Sequence, residues 1–213
     1  MRVAFILALA AAAAASGCNM LRQPAVMIPQ TTSDWRSVAT ADDRTRLRDW
    51  RSAFVGALAA ARAAGHGADI AREGALLVPD AALAGPSILD GDYRCRIIKL
   101  GAKSQGMLDY IAYPFFTCRI DTRTGANGTR RHFTKLTGSQ RHVGLIYPSD
   151  QLRSVFLGTL VLGDEAGAYR YGVDPERDVA GWVERIGDRR WRIVLPYPHY
   201  ESTLDLIELI PEQ

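Results

Sequence analysis

A strong charge of either sign is missing from this sequence: across 213 residues, 26 lysines and arginines face 23 aspartates and glutamates, for a formal net charge of +3. That excludes the dense basic stripe with which a nucleic-acid-binding surface neutralises phosphates, and no nucleic-acid partner is expected. Lysine is nearly absent, with three residues against 23 arginines. Histidine is scarce too. His66, His132, His142 and His199 include no pair at helical ligand spacing and no His-Glu-x-x-His, so no metal site and no cofactor is expected. No Gly-x-Ser-x-Gly elbow frames a serine, and no Cys-x-x-Cys pairs two thiols for redox or zinc chemistry. No apolar run reaches the roughly 18 to 20 residues that a permanent membrane-spanning helix needs.

What is present begins with a leader. Met1-Arg2 precedes an uncharged run from Val3 to Ala15 and then Ser16, Gly17 and Cys18, the layout of a secretory signal peptide, expected over residues 1–17. Ala15-Ser16-Gly17-Cys18 resembles the lipobox of bacterial lipoproteins, with Ala15 where leucine is usual. The resemblance implies a diacylglycerol on the Cys18 thiol, cleavage just before it, and a membrane as partner through that anchor. Each buried acyl methylene contributes about 0.8 kcal/mol, so several chains on one cysteine hold stably. Asn19, rather than aspartate, follows the cysteine; by resemblance to the enterobacterial sorting rule this implies a periplasmic protein anchored to the outer membrane. Residues 18–34 are polar, carry Pro24 and Pro29 and show no period, as a tether would, and 35–213 reads as one domain.

Within that domain Thr40 offers an N-cap, with Asp43 three residues on. Leu47, Trp50, Phe54, Leu58 and Ala61 then recur at helical spacing as far as Gly65, which predicts one amphipathic helix. A shorter helix is predicted over 68–73. After Asp90, runs rich in Tyr, Phe, Val, Ile and Thr alternate with Gly, Asp and Asn. They predict strands near 92–100, 111–121, 130–138, 142–147, 153–162, 168–172, 179–186, 190–196 and 203–210. Asn127-Gly128 and Gly187-Asp188 read as two-residue hairpin turns. The stretch from Val155 to Leu162 is apolar on both faces, so both are covered. The expected fold is α+β and mainly β: an N-terminal amphipathic helix followed by an antiparallel, up-and-down, lipocalin-like β-barrel, whose closure removes exposed edges.

Cys95 shares strand parity with Tyr93 and Ile97, and Cys118 with Phe116 and Ile120, so both point to apolar faces. A hairpin folded about Gln105, Gly106 and Met107 would set 95 opposite 118. In an oxidising periplasm the pair is expected as a disulfide contributing about 3 kcal/mol. Lys99 alternates in step with Ile97, and Lys135 with Phe133, which aims both amines at apolar faces. A buried lysine is paired or deprotonated, so each forms an internal salt bridge or marks a pocket. Together with Arg94 and Arg141 they make the candidate ligand-binding set, while Gly138 and Gly144 read as bulge or bend positions. Two other groups carry chemistry-bearing residue types. His199, Glu201, Ser202 and Asp205 could serve hydrolysis, and the acids Asp164, Glu165, Asp174, Glu176 and Asp178 could act as a pair in glycan cleavage. Both also read as ordinary turn chemistry.

Several segments carry a resemblance across about residues 34 to 210: Asp43-Arg44-x-Arg46-Leu47 with Trp50-Arg51, Gly91-Asp92-Tyr93-Arg94-Cys95-Arg96 with Lys99-Leu100-Gly101, and Cys118-Arg119. To these add Lys135-Leu136-Thr137-Gly138-Ser139-Gln140-Arg141, Phe156-Leu157-Gly158-Thr159, Ala180-Gly181-Trp182-Val183-Glu184-Arg185, and Glu201-Ser202 with Leu204-Asp205. The chain resembles the bacterial family described as domain of unknown function 4893, which implies sphingomonad-type alphaproteobacterial relatives and an exported single domain. It implies no catalytic residue. The expected function is a lipid-anchored cell-envelope protein, a non-enzymatic barrel binding a small apolar ligand or an envelope protein. The alternatives are an envelope hydrolase acting through His199, Glu201, Ser202 and Asp205, and a purely structural envelope protein. A hollow interior favours the ligand, and a filled one favours surface roles.

Overall fold

The computed structural model describes residues 34–212 apart from 86, 126 and 127; the leader over 1–17, Cys18 and all but the last residue of the tether lie outside them. Helices come first: α1 (Trp35–Val38), α2 (Ala41–Arg48), α3 (Trp50–Ala63) and α4 (Gly67–Glu73), the last running into a 3-10 turn over Gly74–Leu77. Thr40 caps α2, its hydroxyl accepting from the Asp43 N–H. The single helix expected up to Gly65 is instead divided at Asp49. The division has a packing reason. Leu47 lies with Trp35 against one part of the sheet, whereas Trp50, Phe54, Leu58 and Ala61 lie against another, and one straight helix cannot serve both.

Nine strands follow: β1 (Gly91–Ala102), β2 (Tyr110–Ala112), β3 (Phe116–Gly125), β4 (Gly128–Lys135), β5 (Gln140–Pro148), β6 (Arg153–Leu162), β7 (Asp178–Gly187), β8 (Arg190–Pro196) and β9 (Ser202–Pro211). All neighbours are antiparallel, and β1 pairs with β3 on one side and β9 on the other, which closes an eight-stranded barrel. The short β2 continues the place of β3 beside the far end of β1. The strand predicted over 168–172 does not form. β6 already pairs directly with β7, from Arg153↔Glu184 to Thr159↔Asp178, so no edge is left for it. Tyr171 reaches back instead, accepting from the Thr40 N–H and donating to Asp43. Of the first predicted hairpin turn, Asn127 lies outside the described residues, and the ladder beside it ends at Gly125↔Gly128; the second shifts by one residue, its ladder closing at Gly187↔Arg190. Asp188-Arg189 therefore makes the second turn, after a bulge between Arg185 and Gly187.

Cys95 and Cys118 form a disulfide, with Cα atoms 5.8 Å apart. They are not directly opposite as expected. Cys118 faces Tyr93 and Cys95 faces Phe116, so the bridge runs diagonally across the ladder. The β1–β2 ladder already folds about residue 105, and the irregular passage between β2 and β3 shifts the pairing by one residue, which brings both sulfurs to one face.

That face is the barrel interior, filled by Tyr93, Ile97, Phe133, Phe156, Trp191 and Ile193 around the disulfide. Curvature is bought with bare backbone at Gly144↔Gly158: a Cβ on Gly144 would lie 2.3 Å from the Leu157 carbonyl, and the Phe156 ring covers the gap. Outside, α3 buries Ile98, Leu100, Val194, Leu204 and Leu206. Trp35 and Leu47 bury Val155 and Leu157, so β6 is covered on both faces as its sequence requires. No helix among the described residues is long and apolar enough to cross a membrane.

Candidate functional site

Side chains pack the middle of the barrel; a space of about 100 Å³ lies at the end where β6 and β8 begin, and larger spaces lie at the end where β1, β4 and β8 finish and β5 and β9 begin. Two spaces, of about 270 Å³ and about 170 Å³, adjoin there and share Lys99, Tyr113 and Glu201 as walls. The larger extends to Leu108, Ile111 and Ser202; the smaller extends to Phe116, Lys135 and Gln140. Strand alternation explains the lysines. Lys99 stands two residues beyond the inward Ile97 and Lys135 two beyond the inward Phe133, so each carries its amine from the core towards the mouth.

The two amines meet different surroundings. Lys99 Nζ lies 2.8 Å from Glu201 and 3.2 Å from Asp205, and the Ser202 hydroxyl also donates to Asp205. Burial works against the Lys99 charge, but the two carboxylates outweigh it and hold the amine above its ordinary range. Burial likewise pushes the Asp205 carboxyl up against the pull of Lys99. Lys135 is buried with no carboxylate in ion-pair range among the described residues. Its Nζ donates to the carbonyls of Thr137 at 2.6 Å and Gln140 at 3.0 Å and lies 3.8 Å from the centre of the Phe116 ring. Burial, then the Arg141 guanidinium, brings its pKa down to about 8. Deeper in, His142 is fully enclosed, its Nδ1 has no partner among the described residues, and burial with the nearby Lys135 and Lys99 charges lowers its pKa to about 3. Its imidazole is neutral at physiological pH.

Two backbone positions make this arrangement fit. Gly138 has φ +91°, a conformation that favours glycine, and a Cβ there would stand 2.6 Å from Lys135 Nζ and displace the amine. Glu201 has φ +67°, a conformation costing about 1 kcal/mol or more for a residue with a side chain. Lys99 and the Gln140 amide, 3.4 Å from its carboxylate, hold it there.

Of the four candidate binding residues, Lys99 and Lys135 share the mouth, whereas Arg94 and Arg141 occupy outward positions. Arg94 stacks on Phe115 at 4.3 Å, and Arg141 donates to the Glu165 carbonyl at 2.7 Å. The hydrolytic set does not assemble: His199 is exposed and makes no hydrogen bond among the described residues, Glu201 serves Lys99, and Ser202 serves Asp205. Nor do the acids form a working pair. Glu165 and Asp174 both bind Arg177, at 2.6 and 3.2 Å, and Asp178 accepts from the Gly172 N–H. No cluster of three His, Cys, Asp or Glu among the described residues is placed to hold a metal ion. Tyr113, Phe116 and His142 were not singled out from the sequence. His142 shares inward parity with Ile146, a signal that was available, whereas Tyr113 lies in the irregular link before β3, where alternation gives no guide.

A family model described as a domain of unknown function (DUF4893) matches residues 35–209. No curated protein and no solved structure matches the chain.

Proposed function

The chain belongs to the family described as domain of unknown function 4893, and from that premise we propose that it is an exported, lipid-anchored envelope protein whose barrel mouth binds a small amphipathic acid without catalysis. One observation carries the reading: a buried lysine with no carboxylate partner among the described residues borders an open, partly aromatic space. Pockets for drug-sized ligands run from about 300 Å³ upward, so spaces of about 270 and 170 Å³ suit a compact acid of aromatic size rather than a long lipid chain. The acid group would sit at the Lys135 ammonium, and its body would lie against Tyr113, Phe116 and Leu108. Export rests on the leader, the lipobox-like Cys18 and the enclosed disulfide, a bond that persists in oxidising compartments.

Titration of the full chain with benzoate, followed by NMR, is expected to shift the resonances of Tyr113 and Phe116 saturably. Lys135→Met should weaken binding about tenfold or more, since a hydrogen bond to a charged group contributes about 1.5 to 3 kcal/mol. Unchanged mouth resonances across small aromatic and aliphatic carboxylates would reject the binding reading and favour a structural role. Cys18→Ser should move the protein from membrane to soluble fractions, and wild-type protein found already soluble would reject the anchor.

A further inference from the structure

We propose that Lys135 captures carbonyl compounds: its amine, held at the wall of the smaller space, forms a reversible imine with small aldehydes that enter the mouth. The inference rests on the mouth being a ligand site and names a class of ligand it would hold covalently. Three observations support it. First, a neutral amine has two N–H groups and one lone pair. The Thr137 and Gln140 carbonyls take both hydrogens, which leaves the lone pair unengaged by the backbone, on an amine 3.8 Å from the centre of the Phe116 ring in a residue that with Phe116 borders an open space of about 170 Å³.

Second, the surroundings disfavour the charged form. The charged and titratable groups near Lys135 are Arg141 and the neutral His142 from β5, with Lys99 from β1 and Glu201 beside β9 on the wall of the same space, the carboxylate being engaged by Lys99. A pKa of about 8 leaves on the order of a hundredfold more neutral amine at neutral pH than an ordinary lysine has. Third, the chain uses arginine for almost every other cation, with 23 against three lysines. A guanidinium cannot give up its proton to become a nucleophile, and an amine can.

The step balances without an oxidant or reductant. The nitrogen lone pair attacks the carbonyl carbon, forming the C–N bond, and one of the two nitrogen protons passes through solvent to the carbonyl oxygen. The carbinolamine hydroxyl then takes a proton from solvent and leaves as water, breaking the C–O bond, and the remaining nitrogen proton returns to solvent. Aldehyde and amine thus become imine and water.

The test treats the full chain with benzaldehyde and cyanoborohydride at neutral pH and maps benzyl adducts by peptide mass. Lys135 is expected to carry at least about tenfold more adduct than Lys99 or Lys103, with yield half-maximal near pH 8 in the wild type. Lys135→Arg, with its fold checked by circular dichroism, should lose the fast labelling. Equal or greater labelling of Lys103, or a yield that rises only near the ordinary lysine range, would overturn the proposal. If benzoate shifts Tyr113 and Phe116 but benzaldehyde leaves Lys135 unmodified, capture is wrong and the binding site stands. If neither compound acts, both fall.

Discussion

At the scale of single residues, the interior polar groups are told apart by what lies across the barrel from them. Lys99 and Lys135 share inward parity, yet one is neutralised by Glu201 and Asp205 and the other is not. The parity could be read along each strand. The pairing could not, because Asp205 lies 106 residues from Lys99 and only barrel closure brings them together. His142 yields a prediction from the same enclosure. The unfolded chain protonates this imidazole near 6.5, whereas burial in the folded state delays protonation to about 3. Its contribution is therefore complete above 6.5 and lost as pH falls towards 3, at up to about 1.4 kcal/mol per pH unit. His142→Leu should show a shallower fall of melting temperature than wild type across that window; parallel curves would mean the imidazole charges without opening the barrel.

Among elements, the helices are fastened to the barrel by buried ions as well as by apolar faces. Arg192 on β8 is fully buried, pairs with Glu184 at 2.6 Å, and donates to the carbonyls of Leu76, Val78 and Pro79 at 2.9, 2.7 and 2.7 Å. It thereby ties the 3-10 turn and the chain after it to the barrel wall. Arg153 also reaches Glu184, at 2.6 Å. Removing one partner of a buried pair costs about 3 to 5 kcal/mol, so Arg192→Met should lower the denaturant midpoint by the equivalent of about 3 kcal/mol. A change below about 1 kcal/mol would show that Arg153 alone compensates Glu184. This lock escaped sequence reading because Arg192 alternates out of step with Trp191 and Ile193 and so resembles any solvent-facing arginine. The same limit explains the helix: periodicity announced an amphipathic stretch from Thr40 to Gly65, but the turn at Asp49 answers to two sheet regions that periodicity does not contain.

For the molecule as a whole, closure is the central fact. β9 pairs with both β8 and β1, so a chain ending at residue 201 would expose two edges and lose Asp205 from the mouth. Such a truncation is expected to lose cooperative unfolding and to aggregate, as seen by size exclusion; a monomeric truncated form would mean the remaining strands reclose. The antiparallel barrel was legible because successive strands joined by short turns have one simple way to pair, and alternation states which residues face inward. The cysteine pairing was legible for the same reason. Alternation is a local, period-two property and survives a register shift of two residues, here from 95 to 93 opposite Cys118, which is why parity held where directly opposite partners did not. Whether the interior is hollow, which amine finds a carboxylate and where the diagonal bridge falls depend on volumes and contacts between strands far apart in the chain. Those are settled only when the barrel closes and side chains from all eight positions compete for one interior.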